Sequence, residues 1–561
     1  MISPERCSCI VSASLVKEVK EISAGESQRD GAWGCSGLLL HPRRRLVLCH
    51  GQTFFPFLRR PKRNLGRRPF LLPGAFHGDL QIQVQFPATS YSTQPELSMS
   101  LASNDTGALN SESEPPNVDY RPRLPSLTPG QTKAKSSSPA ELLMVFSCQE
   151  FGDIFRTLFS KSDKWYFYSE DRDQEVHADP LDLVWFALLW CPGWVDGGSM
   201  CGEEALRYVR SECLSKGQPL FSCASPFASF CSEIFMNTLS QGIVSNLAGE
   251  RNALILTDAR CLPGTEGGGV YIRSQELYYL AGLIVAPLCW KANDWVGLTL
   301  VCSISCILET MRRILNGFEI FGPPTLTVPG SHGLTRLLGT AALLESNRVW
   351  GSGVIVSPRL IITCRHVLDR AQSVRVKIQS DSNSCLALKG RVVFATKENS
   401  PYDVAVVELE EDLLSIEIPT IASDFKTGED VFVIGYGVFG RACGPSVTAG
   451  ILSAVITMEE RPVMLQTTCA VHAGASGGPV FSTRSGELLG IVSSNARNNN
   501  GGATYPHLNF SLPITVLWPV LSAYNQTRDV AVFEGLNRGS KNLRALWRLQ
   551  GSTSVPQRSK L

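Results

Sequence analysis

The chain has almost no net charge. Its 52 lysines and arginines face 51 aspartates and glutamates, leaving +1 over 561 residues. That gives no basic field to gather nucleic acid, so no nucleic-acid partner is expected. Long apolar runs are also scarce. Met1-Ile2-Ser3-Pro4-Glu5-Arg6-Cys7 opens no secretory signal. The longest apolar windows, Leu277 to Cys289 and Val296 to Leu308, are too short or too interrupted for a membrane span. Histidine is sparse, at 8, and with cysteine it forms no zinc-finger spacing. No glycine-rich phosphate loop follows a strand, and Gly435-Tyr436-Gly437-Val438-Phe439-Gly440 suits the loop after a barrel strand better than a nucleotide site. Neither a metal nor a cofactor is expected. Cysteine, by contrast, is plentiful at 18. Without a secretory signal these scattered residues read as buried reduced thiols, and the sequons at Asn104 and Asn525 as unmodified.

What is present centres on Gly474-Ala475-Ser476-Gly477-Gly478-Pro479. Glycines around a serine let the backbone fold tightly enough for the Gly474 and Ser476 amides to converge on a developing oxyanion. Upstream, Leu360-Ile361-Ile362-Thr363 reads as a strand that delivers His366, and Asp403 precedes the apolar run Val404 to Val407. The order His366, Asp403, Ser476 is that of a chymotrypsin-type nucleophile system. In it Ser476 attacks, His366 takes the proton and Asp403 orients the imidazole. In the chymotrypsin scheme that this order resembles, the floor of the specificity pocket lies six residues before the serine, which implies Ala470, and the strand after the nucleophile, Gly490 to Asn495 with Ser493, implies its wall. A small apolar floor disfavours arginine or lysine, because an unpaired buried cation is costly.

Gln466 to Val480, Gly351-Ser352-Gly353 and Asp403-Val404-Ala405-Val406 together resemble the HtrA/Deg branch of the trypsin-like serine proteases, over about residues 335–525. The resemblance implies a double β-barrel. No PDZ-like segment follows, so processive, PDZ-assisted proteolysis is not implied.

The first half carries a fainter copy. Trp33 to Arg43 parallels Trp350 to Arg359, and Ser36, Gly37, Pro42, Arg43 and His50 lie at one constant offset from Ser352, Gly353, Pro358, Arg359 and His366. Thr257 to Val270 parallels Thr467 to Val480, with Glu266 in the place of Ser476. A carboxylate is no peptidase nucleophile, so this copy is expected to be inactive although His50 keeps the base position; Asp182 is a weaker counterpart of Asp403.

The expected fold is all-β: a degenerate trypsin-like domain at 1–310 interrupted by a disordered insert at 88–140, a linker at 311–334, the active domain at 335–525, and a C-terminal helix and tail at 526–561. The inactive copy could bury a flank of the active one, present a substrate groove or hold a homodimer, and the sequence does not choose among these.

Ser559-Lys560-Leu561 has the form of a peroxisomal import signal, read by a receptor that needs the free carboxylate. With the degenerate copy and the HtrA-like half, it makes the chain resemble the peroxisomal processing proteases that carry a trypsin domain. This resemblance implies limited proteolysis of imported matrix enzymes, removal of N-terminal leader peptides bearing the second type of peroxisomal targeting signal, and self-cleavage. The alternative is a binding scaffold or holdase for matrix proteins with a vestigial triad.

Overall fold

The computed structural model describes residues 3–548, apart from 17–32, 61–68, 88–136, 160–163, 168–179, 194–205, 228–230, 292–293, 318–331, 347–348, 382–383, 414–415 and 498–503. Four six-stranded antiparallel barrels follow one another along the chain. The first runs from Ser8–Leu15 to Trp185–Trp190 and closes where Ser137–Ser147 pairs with that last strand. The second spans Pro219–Ala224 to Thr299–Ser303, the third Ala341–Glu345 to Ala405–Leu409, and the fourth Asp430–Gly435 to Thr504–Pro513. Numbering the six strands of each barrel in chain order, all four rings read 1-2-3-6-5-4. The fold is therefore two tandem trypsin-like double barrels. Closure leaves no unpaired strand edge in any ring.

The strand leading to His366 illustrates how the sequence builds these barrels. All four residues of Leu360–Thr363 are buried. Ile361 joins the core that holds Ile355 and Val407, whereas Leu360 and Ile362 join one shared with Val431 and Leu465 of the fourth barrel. Alternation along the strand thus packs one face inside its own barrel and the other against the next.

Several boundaries differ from the expected ones. The strand Ser137–Ser147 begins inside the expected 88–140 insert, and 88–136 lie outside the described residues. The helix Ile304–Ile314 runs past residue 310, and the helix His332–Leu338 starts before 335. The C-terminal helix is not one element starting at 526. Ile514–Thr527 ends at Arg528, whose φ of +59° turns the chain, and Val530–Asn537 and Lys541–Trp547 follow as separate turns. Leu517, Leu521 and Leu543 are buried. The Ser559-Lys560-Leu561 tail lies outside the described residues. Every described cysteine is a free thiol, and most are buried. Among the described residues no helix is long and apolar enough to cross a membrane.

Candidate active site

Strand pairing brings His366 and Asp403 together. Thr363 ends one strand and sits opposite Ala405 near the start of another. His366 follows in the short helix Arg365–Leu368, and Asp403 lies just ahead of its own strand. The Asp403 Oδ2 accepts a hydrogen bond from His366 Nδ1, and Oδ1 accepts the His366 amide at 3.2 Å. Burial works to raise the Asp403 carboxyl. The His366 hydrogen bond and charge, with the Arg365 guanidinium 3.6 Å away, outweigh it and hold the carboxyl below its ordinary value. With Nδ1–H committed to the carboxylate, Nε2 of the half-exposed ring carries the lone pair a general base needs. Cys364 is near but fully buried, donates to the Val492 carbonyl at 3.2 Å, and burial pushes its thiol up; it stays a neutral packing group.

The loop around Ser476 is held in the conformation its glycines permit. Gly474 and Gly477 have φ of +91° and +84°. A β-carbon on Gly474 would fall 2.3 Å from the Trp350 ring, and one on Gly477 2.1 Å from the Ser352 carbonyl. The amides of Ala475, Gly477 and Gly478 are taken by the carbonyls of His472, Val492 and Ala475, at 3.0, 2.7 and 2.9 Å. Among the described residues, the amides of Gly474 and Ser476 donate to no protein acceptor. Two unengaged amides, one of them the serine's own, are what an oxyanion site requires.

Ser352, which the sequence presented in a glycine motif and as the counterpart of Ser36 but gave no role, ties this loop to the third barrel. Its amide donates to the Ser476 carbonyl at 2.9 Å and its hydroxyl to the Gly474 carbonyl at 2.7 Å, while the hydroxyl accepts the Tyr436 amide at 2.8 Å. The signal that could have found it was its duplicate, Ser36, whose hydroxyl donates to the Gly264 carbonyl at 2.8 Å. Among the described residues no hydrogen bond joins Ser476 to His366. Such contacts are loose in unliganded enzymes and tighten on substrate. Ala470 and Ser493 are both buried nearby in sequence, the first accepting the Thr448 hydroxyl at 2.9 Å through its carbonyl.

Residues 351–491 match the family model of the trypsin-like peptidase domain. A probable periplasmic serine endoprotease, DegP-like, from Halomonas elongata is 34% identical over 36% of this chain and 39% of its own. The peroxisomal leader peptide-processing protease of Mus musculus is 45% identical over 99% of this chain and 98% of its own length; that of Homo sapiens is 44% identical over 100% and 99%. The chain belongs to this family of peroxisomal leader peptide-processing proteases. It is thus a peroxisomal serine protease of trypsin-like fold.

The degenerate half of this family member departs from the sequence expectation in its base and acid positions. In the catalytic half Ile355 pairs with Ile361 and Gly353 with Thr363; in the first half Leu39 pairs with Val47 and Gly37 with Cys49. The hairpin of the first half is therefore two residues longer, so Cys49 matches Thr363 and Gln52 falls where His366 stands. His50 is instead a core residue, 1% exposed, with Nε2 donating to the Leu183 carbonyl at 3.1 Å. Cys49 pairs with Ala187 as Thr363 does with Ala405, which puts Trp185, not Asp182, in the place of Asp403. The constant offset failed because it ran through the Pro42–Arg45 turn without counting its extra residues.

Glu266 does match Ser476. Its neighbours Gly264 and Gly267 have φ of +90° and +82°, and the Gly264 amide donates to its Oε2 at 2.8 Å. The carboxylate thus takes up the amide whose counterpart, at Gly474, is free in the catalytic half. Because Gln52 and Trp185 supply neither base nor acid, a double variant carrying Glu266→Ser and Ser476→Ala should take up no fluorophosphonate label at position 266. Peptide mapping that found the label at that position would contradict this register.

His472 is a functional-loop residue that sequence reasoning passed over. It is 6% exposed, and neither ring nitrogen has a hydrogen-bond partner. Burial, and then the charge of Lys291, lower its pKa from 6.5 to about 4. Between those values the unfolded chain binds a proton that the folded chain refuses, so stability is full above 6.5 and is lost as pH falls toward 4. The loss amounts to roughly 3 kcal/mol. Asp258, raised to about 6 by burial, has the opposite slope below that pH and offsets part of it. A His472→Asn variant should therefore lose less melting temperature than the parent between pH 6.5 and 4.5. Equal losses in both would contradict this role.

Proposed function

We propose that this chain removes N-terminal leader peptides from imported peroxisomal matrix enzymes by Ser476-dependent acyl transfer. The observation that carries this reading is the His366–Asp403 pair together with a serine whose own amide and that of Gly474 are unengaged. Ser476 attacks the scissile carbonyl as His366 Nε2 takes its proton, and Asp403 stabilises the resulting imidazolium. The Gly474 and Ser476 amides hold the oxyanion. The protonated His366 then gives its proton to the departing amine, and water, deprotonated by the same ring, releases the acyl group.

The Ala470 floor and Ser493 wall suit a short P1 side chain better than a cation. The Ser559-Lys560-Leu561 tail serves the import receptor. A holdase would have no use for an imidazole oriented by a carboxylate.

The test is incubation of a leader-bearing matrix enzyme with the purified chain and with Ser476→Ala. One N-terminal cut made only by the parent is expected. Cutting by both, or by neither, would overturn the reading.

A further inference from the structure

The pocket residues of the catalytic half pack against the degenerate half. Ala470 and Phe439 share a core with Val296 and Leu298 of the degenerate half. Gly297, between those two, has φ of +73°, and a β-carbon there would fall 2.9 Å from Pro506 and 3.4 Å from the β-carbon of Ala470. Phe439 stacks on Trp165 at 5.3 Å and 14°, and meets His472 at 6.4 Å and 64°. Asp294 accepts the Thr504 hydroxyl at 2.7 Å, and Trp295 meets His507 edge-on at 5.7 Å. Trp165 lies on the strand Trp165–Phe167 and Asp294 and Trp295 on the strand Asp294–Trp295, and both strands pair with Cys289–Lys291 between them.

The degenerate half shows what this surface looks like uncovered. Arg260 and Leu262 stand where Ala470 and His472 stand in the catalytic half, and both are exposed, Leu262 at 45%. The same loop is therefore open in one copy and sealed in the other. The sealed one carries an imidazole with no hydrogen-bond partner, a residue that burial disfavours and that a merely structural core would replace with an apolar one.

We propose that the degenerate half forms the rear wall of the catalytic half's primary specificity pocket and sets its depth, through Gly297 on Ala470 and through Trp165 on Phe439 and His472. This rests on the reading of Ser476 as nucleophile and Ala470 as pocket floor. Gly297 and Trp165 are positioning residues: they touch no substrate and act through the residues behind the pocket. A β-carbon at Gly297 drives into Pro506, 2.9 Å away, whose carbonyl accepts the Val471 amide, and so displaces the adjoining Ala470 and makes the pocket shallower; loss of the Trp165 indole lets Phe439 and His472 relax away from it.

The test uses the full chain with Gly297→Ala, Trp165→Ala and Trp165→Phe. P1 preference is profiled on a peptide library, KM and kcat are measured separately, and fluorophosphonate labelling of Ser476 and melting temperature are followed in parallel. Gly297→Ala should move the P1 preference to a smaller side chain and raise KM for the parent's preferred peptide roughly tenfold, with labelling rate held within about twofold. Trp165→Ala should broaden the P1 profile and Trp165→Phe should restore it.

Labelled, folded variants with the parent's P1 profile would overturn the proposal. So would a loss of KM and kcat in step with melting temperature. If Gly297→Ala does not fold, the Trp165 pair alone decides. Absence of labelling in the parent would instead refute the reading of Ser476.

Discussion

Ser476→Ala should lower kcat for peptide hydrolysis by about 10⁶ while leaving KM and melting temperature nearly unchanged. The hydroxyl is the only atom removed, and Ser476 is half-buried in a loop whose shape is set by Gly474, Gly477 and Ser352 rather than by its own side chain. The loop's amides remain in place, so substrate still binds and a residual rate from oxyanion stabilisation persists. Steady-state kinetics on a leader-derived peptide checks this. A drop of less than about a hundredfold would mean that another group attacks the carbonyl.

Asp403→Asn should cost about 10⁴ in kcat, again with little effect on KM. An amide at this place can offer its NH₂ to His366 Nδ1, which drives the proton to Nε2 and removes the lone pair facing Ser476. The variant also leaves the Arg365 guanidinium, 3.6 Å from the carboxylate in the parent, without its anion. Activity should rise at high pH, where a weakened base becomes less limiting. A variant that kept parental kcat at neutral pH would show that the His366–Asp403 hydrogen bond is structural only.

The catalytic half was legible because its chemistry is written in contiguous residues. A serine between glycines, a histidine directly after an apolar strand and an aspartate directly before one each mark a strand end, and strand ends of adjacent strands meet. The degenerate half was legible where the same loop recurs, at Gly264 to Gly268, and misleading where a turn changed length. Two extra residues between Leu39 and Val47 leave the local pattern intact and move every later position, so only the strand register shows that His50 lies in the core.

The packing between halves left no sequence signal. Gly297 and Trp165 belong to no motif, and their importance arises from partners in the other half, at Ala470 and Phe439. The expected single C-terminal helix is interrupted because Arg528 takes a left-handed backbone conformation that ends Ile514–Thr527.

The central claim is that Ser476 is an activated nucleophile, and reaction of the intact chain with a fluorophosphonate probe followed by peptide mapping tests it most directly. Label confined to Ser476, absent from Ser476→Ala and slowed in Asp403→Asn, is the predicted result. Folded protein that takes up no label, or takes it up elsewhere than Ser476, would contradict the account.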